Sequence, residues 1–262
     1  MGDKTKIDWA DASWNPITGC QHGCEYCYAR NMAKRFGAHF EAIFSTMELD
    51  APCRIIKYKE LSKAKPRAKT NPYPYDFTPT FHRYKLDQPK RWERPRTIFV
   101  CSMADLFGDW VPDEWIREVF DACATAPQHR YLFLTKNPAR YSQLVKNGIV
   151  MPNTIEWWYG YTVDGLRELP DHRPIGWHTF VSVEPLLRAP DAKMLEDIAK
   201  TSWIIVGAET GNRKGKVIPE KAWIDQIVHK AQSAWMTPVF MKESLREIMG
   251  DDFVQEFPWG GA

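Results

Sequence analysis

Short apolar runs of strand length alternate with runs of helical period along this chain, and that alternation restricts the fold more than any other feature. The clear strand-like runs are Thr97–Cys101, Tyr131–Thr135, Glu156–Tyr161, Thr179–Val183, Trp203–Val206 and Pro238–Met241. Two weaker ones lie near Ser13–Thr18 and Ala42–Met47. Between them, Asp113–Cys123 carries Trp115, Ile116, Val119, Phe120 and Cys123 on one helical face. Lys221–Ala234 repeats the pattern with Trp223, Ile224, Ile227, Val228 and Ala231, and Pro219 stands where a helix start tolerates it. Strands alternating with helices imply a parallel sheet joined by right-handed crossovers. The pattern predicts an α/β fold, a partial or complete parallel (β/α) barrel, with about six strands leaving it open and eight closing it. A length of 262 residues suits one such domain.

In a barrel of this kind, chemistry gathers at the C-terminal ends of the strands. Polar residues follow the predicted strands there: Ser102 and Asp105, then Lys136, Glu184, Glu209 and Lys242. Glu184 precedes Pro185, so the chain stays extended and holds the carboxylate at the mouth. A carboxylate so close to a buried strand is costly unless it is paired or used. Glu209 and Lys242 are candidates for an ion pair across the mouth or for substrate contacts.

The sharpest chemical signal is Cys20-Gln21-His22-Gly23-Cys24-Glu25-Tyr26-Cys27, a C-x₃-C-x₂-C spacing just after the first strand-like run. Thiolates are the normal ligands of iron–sulfur clusters, and three of them leave one iron of a cubane open. An open position marks a catalytic metal rather than a closed structural one. A competing reading closes a tetrahedral zinc site with His22 or His39 as the fourth ligand. Structural zinc sites usually pair two knuckles, and no second C-x₂-C is present.

The triplet, with Tyr26 just before its third cysteine, resembles the radical SAM superfamily. The resemblance implies a TIM-like barrel and a 4Fe-4S cluster on Cys20, Cys24 and Cys27. It also implies reductive cleavage of S-adenosylmethionine to a 5′-deoxyadenosyl radical, and an electron donor. A closer resemblance, to an uncharacterised phage-associated radical SAM-like family, covers most of the chain. It is carried by Lys6-Ile7-Asp8-Trp9, Ser13–Cys20, Tyr26–Ala29, Asp105-Leu106-Phe107, Leu134–Pro138, Ser182–Leu187 and Val206–Gly211. One departure is the absence of an obvious Gly-Gly-Glu-like motif after the second strand, so the methionyl amine must be held from elsewhere.

Under this resemblance, Tyr26, Ser102, Asp105, Lys136 and Glu184 are the candidate residues for holding S-adenosylmethionine, Lys136 being well placed for its carboxylate. Ser102 and Asp105 equally suit turns just past a strand. Glu184 and Lys242 are candidates for contact with substrate. Cys101, at a strand end, is a candidate hydrogen donor to a product radical, set against the ordinary burial of a free cysteine. Cys53 and Cys123 read as packing residues.

Charge is uneven. Arg54 to Arg96 holds thirteen Lys/Arg against four Asp/Glu, a local net of +9 in a chain of net +2. The segment is also rich in proline and reads as a long irregular insertion into a single domain spanning 1–262. Among its cations stand Tyr58, Tyr73, Tyr75, Phe77, Phe81, Tyr84 and Trp92. Aromatic platforms beside cations suit nucleic acid or a nucleotide, so the expected substrate is a nucleic-acid base or nucleotide. The alternative of another class is a zinc- or cluster-containing nucleic-acid-binding module without turnover. No apolar run approaches the roughly 18 residues of a membrane span, and clustered cysteines suit a reducing compartment, so a cytoplasmic location is expected.

Overall fold

The structure is a computed structural model and describes residues 5–56, 67–164 and 176–260. Seven strands form one sheet: β1 (Ala12–Trp14), β7 (Thr97–Val100), β8 (Arg130–Thr135), β9 (Trp157–Thr162), β10 (His178–Val183), β11 (Trp203–Val206) and β12 (Val239–Met241), in that spatial order. Every neighbouring pair is parallel. With β1 and β12 as its two edges, the sheet is a curled half barrel.

The strand count differs from both expected values. The run near Ser13–Thr18 is broken at Asn15-Pro16, and Ile17–Thr18 leaves the barrel as β2. That short strand pairs antiparallel with β6 (Thr80–His82), which pairs in parallel with β3 (Met47–Leu49). The Ala42–Met47 run therefore adds no barrel strand. Its Ile43 and Phe44 are 80% and 70% exposed, so burial does not hold them in a sheet. β4 (Arg54–Ile55) and β5 (Lys69–Thr70) make a separate antiparallel ribbon.

Helices Asp113–Ala124, Ala139–Lys146, Ala192–Ala199 and Lys221–Trp235 lie in the crossovers. The first starts behind Pro112 with Asp113 and Glu114 in its opening turn, where acidic groups complement the helix dipole. Period-two alternation sends one set of strand side chains toward the helices and the other inward. Tyr131, Phe133, Trp157 and Tyr159 pack with Trp115, Ile116, Val119 and Phe120 on the helix side. Leu132, Trp158, Phe180, Trp203, Ile205 and Phe240 form a separate inner cluster with Trp9.

Trp9 packs 4.6 Å from Phe99, ring centre to ring centre, and Trp203 donates its Nε1–H to the Glu256 carbonyl at 2.9 Å. Phe257 and Trp259 pack against the same cluster. Residues 254–256 run antiparallel along β12, with Met241 N donating to Val254 O and Glu256 N to Val239 O.

The insertion is more ordered than the expected irregular loop from Arg67 onward. It carries β5, β6 and two 3₁₀ turns, Arg83–Lys85 and Pro89–Arg91. Phe81 is fully buried and stacks on Trp115 at 5.1 Å. Tyr58, Lys63 and Lys65 lie outside the described residues.

Gly160 on β9 faces the Phe180 ring, and a Cβ there would come within 2.3 Å of it. Gly160→Ala should lower stability by about 1–3 kcal/mol through overpacking of the inner face. Urea denaturation checks this; an unchanged midpoint would show that Phe180 has room to retreat.

Candidate active site at the mouth of the half barrel

The cysteine loop is moored before it begins. Asn15 Oδ1 accepts from Met103 N at 2.9 Å and from Ser102 Oγ at 3.2 Å, tying the end of β1 to the end of β7. Gly19 takes φ +90° against the Thr78 carbonyl, where a Cβ would sit 2.4 Å from the oxygen, so only glycine fits. Gly19 N donates to Met103 O and Cys20 N to Phe77 O. The helix Tyr28–Phe36 then leaves the loop. It is capped by Cys27 Sγ, which accepts from Arg30 N, and buries Ala29 and Ala33 against Tyr73 and Met103.

Cys20, Cys24 and Cys27 are each half-buried and none is in a disulfide. Burial pushes the Cys20 thiol up to about 12, and the charges of Asp105, Cys27 and Cys24 act in the same direction. Among the described residues, no three His, Cys, Asp or Glu side chains are arranged to hold a single ion. Both candidate fourth ligands for zinc already have carboxylate partners: His22 Nε2 lies 2.7 Å from Asp105 Oδ2 and His39 Nδ1 lies 2.8 Å from Asp76 Oδ1. Three half-buried thiols on one loop fit the donor set of an iron–sulfur cluster, whose thiolates attach to separate irons.

Asp105 is 5% exposed and fully engaged. Besides His22, its oxygens accept from Lys136 N at 2.9 Å and Phe107 N at 3.0 Å. Burial works to raise its carboxyl, but the His22 bond and charge, with the Lys136 amide and Thr135 hydroxyl, outweigh it and hold it below the usual carboxylate range. Only the Phe107 bond lies within its own turn; the other two tie it to the cysteine loop and to the end of β8. Ser102 likewise spends its hydroxyl on Asn15, while its carbonyl accepts from Tyr28 OH at 2.7 Å.

Tyr26 reaches from the cysteine loop to two other strand ends. Its hydroxyl donates to Asp164 Oδ2 at 2.6 Å and accepts from Lys136 Nζ at 2.8 Å. Lys136 also lies 3.6 Å from Asp164 Oδ2. Burial first, then the hydrogen bond and charge of Asp164, raise the Tyr26 phenol, which therefore stays protonated. Asp164 was missed in the sequence, although it stands just past β9 as Lys136 stands past β8.

Glu184 and Lys242 form an ion pair across Gly207, the residue after β11, where a Cβ would come within 2.9 Å of Lys242 Cδ. The Glu184–Pro185 peptide is cis. The expected Glu209–Lys242 pairing is not formed. Glu209 instead holds Arg213, one helical turn of sequence ahead, with bonds of 2.6 and 2.7 Å. Cys101 is 2% exposed and lies in the helix-side core with Trp14 and Val100, its thiol pushed up to about 12 by burial.

The described cations of the basic segment divide: Arg54, Arg67, Lys69, Lys90 and Arg94 are exposed, while others are engaged within the fold. Arg83 pairs with Glu118 and Glu48, Arg91 with Asp87, and Arg96 lies over the Trp92 ring. Lys85 is buried.

The class these features define is an α/β half barrel with a thiol-rich loop at the C-terminal mouth. Residues 4–244 match the family described as "Protein of unknown function (DUF5131)", and the chain belongs to that family. No curated protein matches the sequence. The fold is similar to that of a cysteine-to-serine mutant of spore photoproduct lyase, at 11% identity and TM-score 0.50, over 92% of this chain and 81% of that one. It is also similar to a double mutant of spore photoproduct lyase with bound AdoMet and dinucleoside spore photoproduct. There the identity is 10% and the TM-score 0.52, over 91% of this chain and 78% of that one.

Asp105→Ala should cost about 3 kcal/mol, because it strands two buried amides and the His22 ring. A carboxyl held low in the folded state stabilises at neutral pH, and that contribution fades as acid protonates it below the usual carboxylate range. The gap between parent and variant in urea denaturation should therefore narrow on acidification. A gap that stays constant with pH would separate the loss from the carboxylate's charge.

Proposed function

We propose that this chain is a radical SAM enzyme in which Cys20, Cys24 and Cys27 hold a 4Fe-4S cluster and the mouth of the half barrel binds S-adenosylmethionine. One observation carries the reading: the C-x₃-C-x₂-C loop follows β1 at the C-terminal mouth, and its Tyr26 is tied to Lys136 and Asp164 on the ends of β8 and β9. The similarity in fold to a structure with bound AdoMet supports it. When bound, the cluster supplies the electron that cleaves S-adenosylmethionine to a 5′-deoxyadenosyl radical.

The chain's own residues position and shield. Lys136 presents an ammonium at the mouth, partly balanced by Asp164, which suits the methionyl carboxylate. Tyr26, kept protonated, holds that ammonium in place. Glu184 and Lys242 offer an acceptor and donors beside the Gly207 gap for substrate or for the adenosyl group. Asp105 and Ser102 support this surface from behind. A nucleic-acid base or nucleotide is the proposed substrate, supported by the dinucleoside photoproduct bound in the similar structure. A one-electron donor and a reducing, cytoplasmic setting complete the proposal.

Anaerobically reconstituted protein should hold about four irons per chain. With dithionite and S-adenosylmethionine it should release 5′-deoxyadenosine. Cys20→Ala, Cys24→Ala and Cys27→Ala should each lose iron and product, while Cys53→Ala, Cys101→Ala and Cys123→Ala should keep the iron. A colourless protein carrying zinc would favour a binding module without turnover. Lys136→Ala should keep the iron and weaken S-adenosylmethionine binding by about tenfold or more, the usual loss for a charge-assisted contact.

A further inference from the structure

A concavity separate from the barrel mouth lies in the insertion. A cavity of about 440 Å³ is lined by Tyr84, Trp92, Lys85, Arg91, Gln88 and Thr70. That volume falls within the roughly 300–1,000 Å³ of small-ligand pockets. The lining divides by chemistry. Tyr84 and Trp92 give aromatic surface, Lys85 and Arg91 give positive charge, and Gln88 gives both a donor and an acceptor for a planar polar edge.

Lys85 is the unusual member. The residue is 7% exposed, and its ammonium donates to one neutral partner, the Asn15 carbonyl, at 3.2 Å. The Tyr84 ring lies 5.7 Å from Nζ to centroid, and the buried Cys101 thiol is also near enough to act on its charge. No carboxylate among the described residues lies within ion-pair distance of it, and burial pulls it down to about 8. An ammonium with unused donors and no counter-ion is costly to bury. An anion entering the cavity would offset that cost. Asp87 already pairs with Arg91 at 3.0 Å, so Arg91 retains guanidinium donors but not its full charge.

We propose that this pocket binds a single nucleotide. Its phosphate meets Lys85 and Arg91, its base lies against Tyr84 and Trp92, and Gln88 reads the base edge. Aromatic faces beside cations are the pairing that nucleotides recruit. Neither the pocket nor its ligand depends on a cluster at the barrel mouth. The nucleotide can be free or one unit of a single strand, and the two sources share this chemistry.

Calorimetry on the full chain separates the cases, with UMP, GMP, inorganic phosphate and a short single-stranded oligonucleotide as probes. At least one mononucleotide or the oligonucleotide should bind saturably, and more tightly than phosphate alone. An oligonucleotide that binds more tightly than both mononucleotides identifies a strand, and equal or weaker binding identifies a free nucleotide. Lys85→Met and Gln88→Ala should each weaken binding by about tenfold or more. Gln88 and Arg91 are partly or largely exposed, so Gln88→Ala and Arg91→Ala decide the matter if Lys85→Met fails to fold. Iron content should be unchanged in Gln88→Ala, which keeps this result independent of the mouth. Absence of saturable binding by every nucleotide probe overturns the proposal. So does binding that survives Gln88→Ala and Arg91→Ala, or that is lost in Lys136→Ala.

Discussion

The arrangement at the mouth depends on one buried carboxylate. Asp105 takes a ring nitrogen from the cysteine loop, an amide from the end of β8 and an amide from its own turn after β7. Burying a carboxylate is unfavourable until its acceptor sites are filled, and here three donors fill them. The need to satisfy that group sets the distance between the cysteine loop and the strands beneath it. Tyr26 adds a second tie to β8 and β9, and Asn15 a third between β1 and β7. A loop held at so many points can present its thiols in a fixed order without secondary structure of its own.

Beneath the mouth, the inner face changes character along the strands. Trp158, Phe180, Trp203 and Phe240 fill the lower part with aromatic bulk, clamped by Trp9 on one side and Phe257 and Trp259 on another. Further up stand small residues, Gly160 and Gly207. At the rim come Lys136, Asp164, Glu184 and Lys242. A rigid apolar floor below charged groups is a reasonable base for chemistry, because side chains locked by packing spend little entropy on holding position.

Much of this was readable in the residues. The six clear strand runs all appear as barrel strands, shifted by a residue or so, because each is a buried parallel strand with a continuous apolar signature. The helix at Asp113 was visible from its period, and Lys136, Glu184 and Lys242 stand just past β8, β10 and β12, as their places after strand-like runs implied. What the residues did not show were burial and the choice among several possible partners, near or far in the chain. Ala42–Met47 is apolar without being buried. Arg213 claimed Glu209 by a local i,i+4 contact, which left Lys242 to Glu184. Arg83 pairs with Glu48 and Glu118, both outside the Arg54–Arg96 run, which a charge count over that run does not show.

A half barrel leaves two strands without a barrel neighbour, and exposed strand edges invite other chains to pair with them. Here the β12 edge meets its own chain: Val254 to Glu256 lie along it, with Met241 N donating to Val254 O and Glu256 N to Val239 O. Self-capping of this kind protects a sheet against edge-to-edge aggregation without requiring a dimer. Residues 254–256 are thus part of what shields the sheet: without them a hydrogen-bonding edge would lie bare next to an aromatic core.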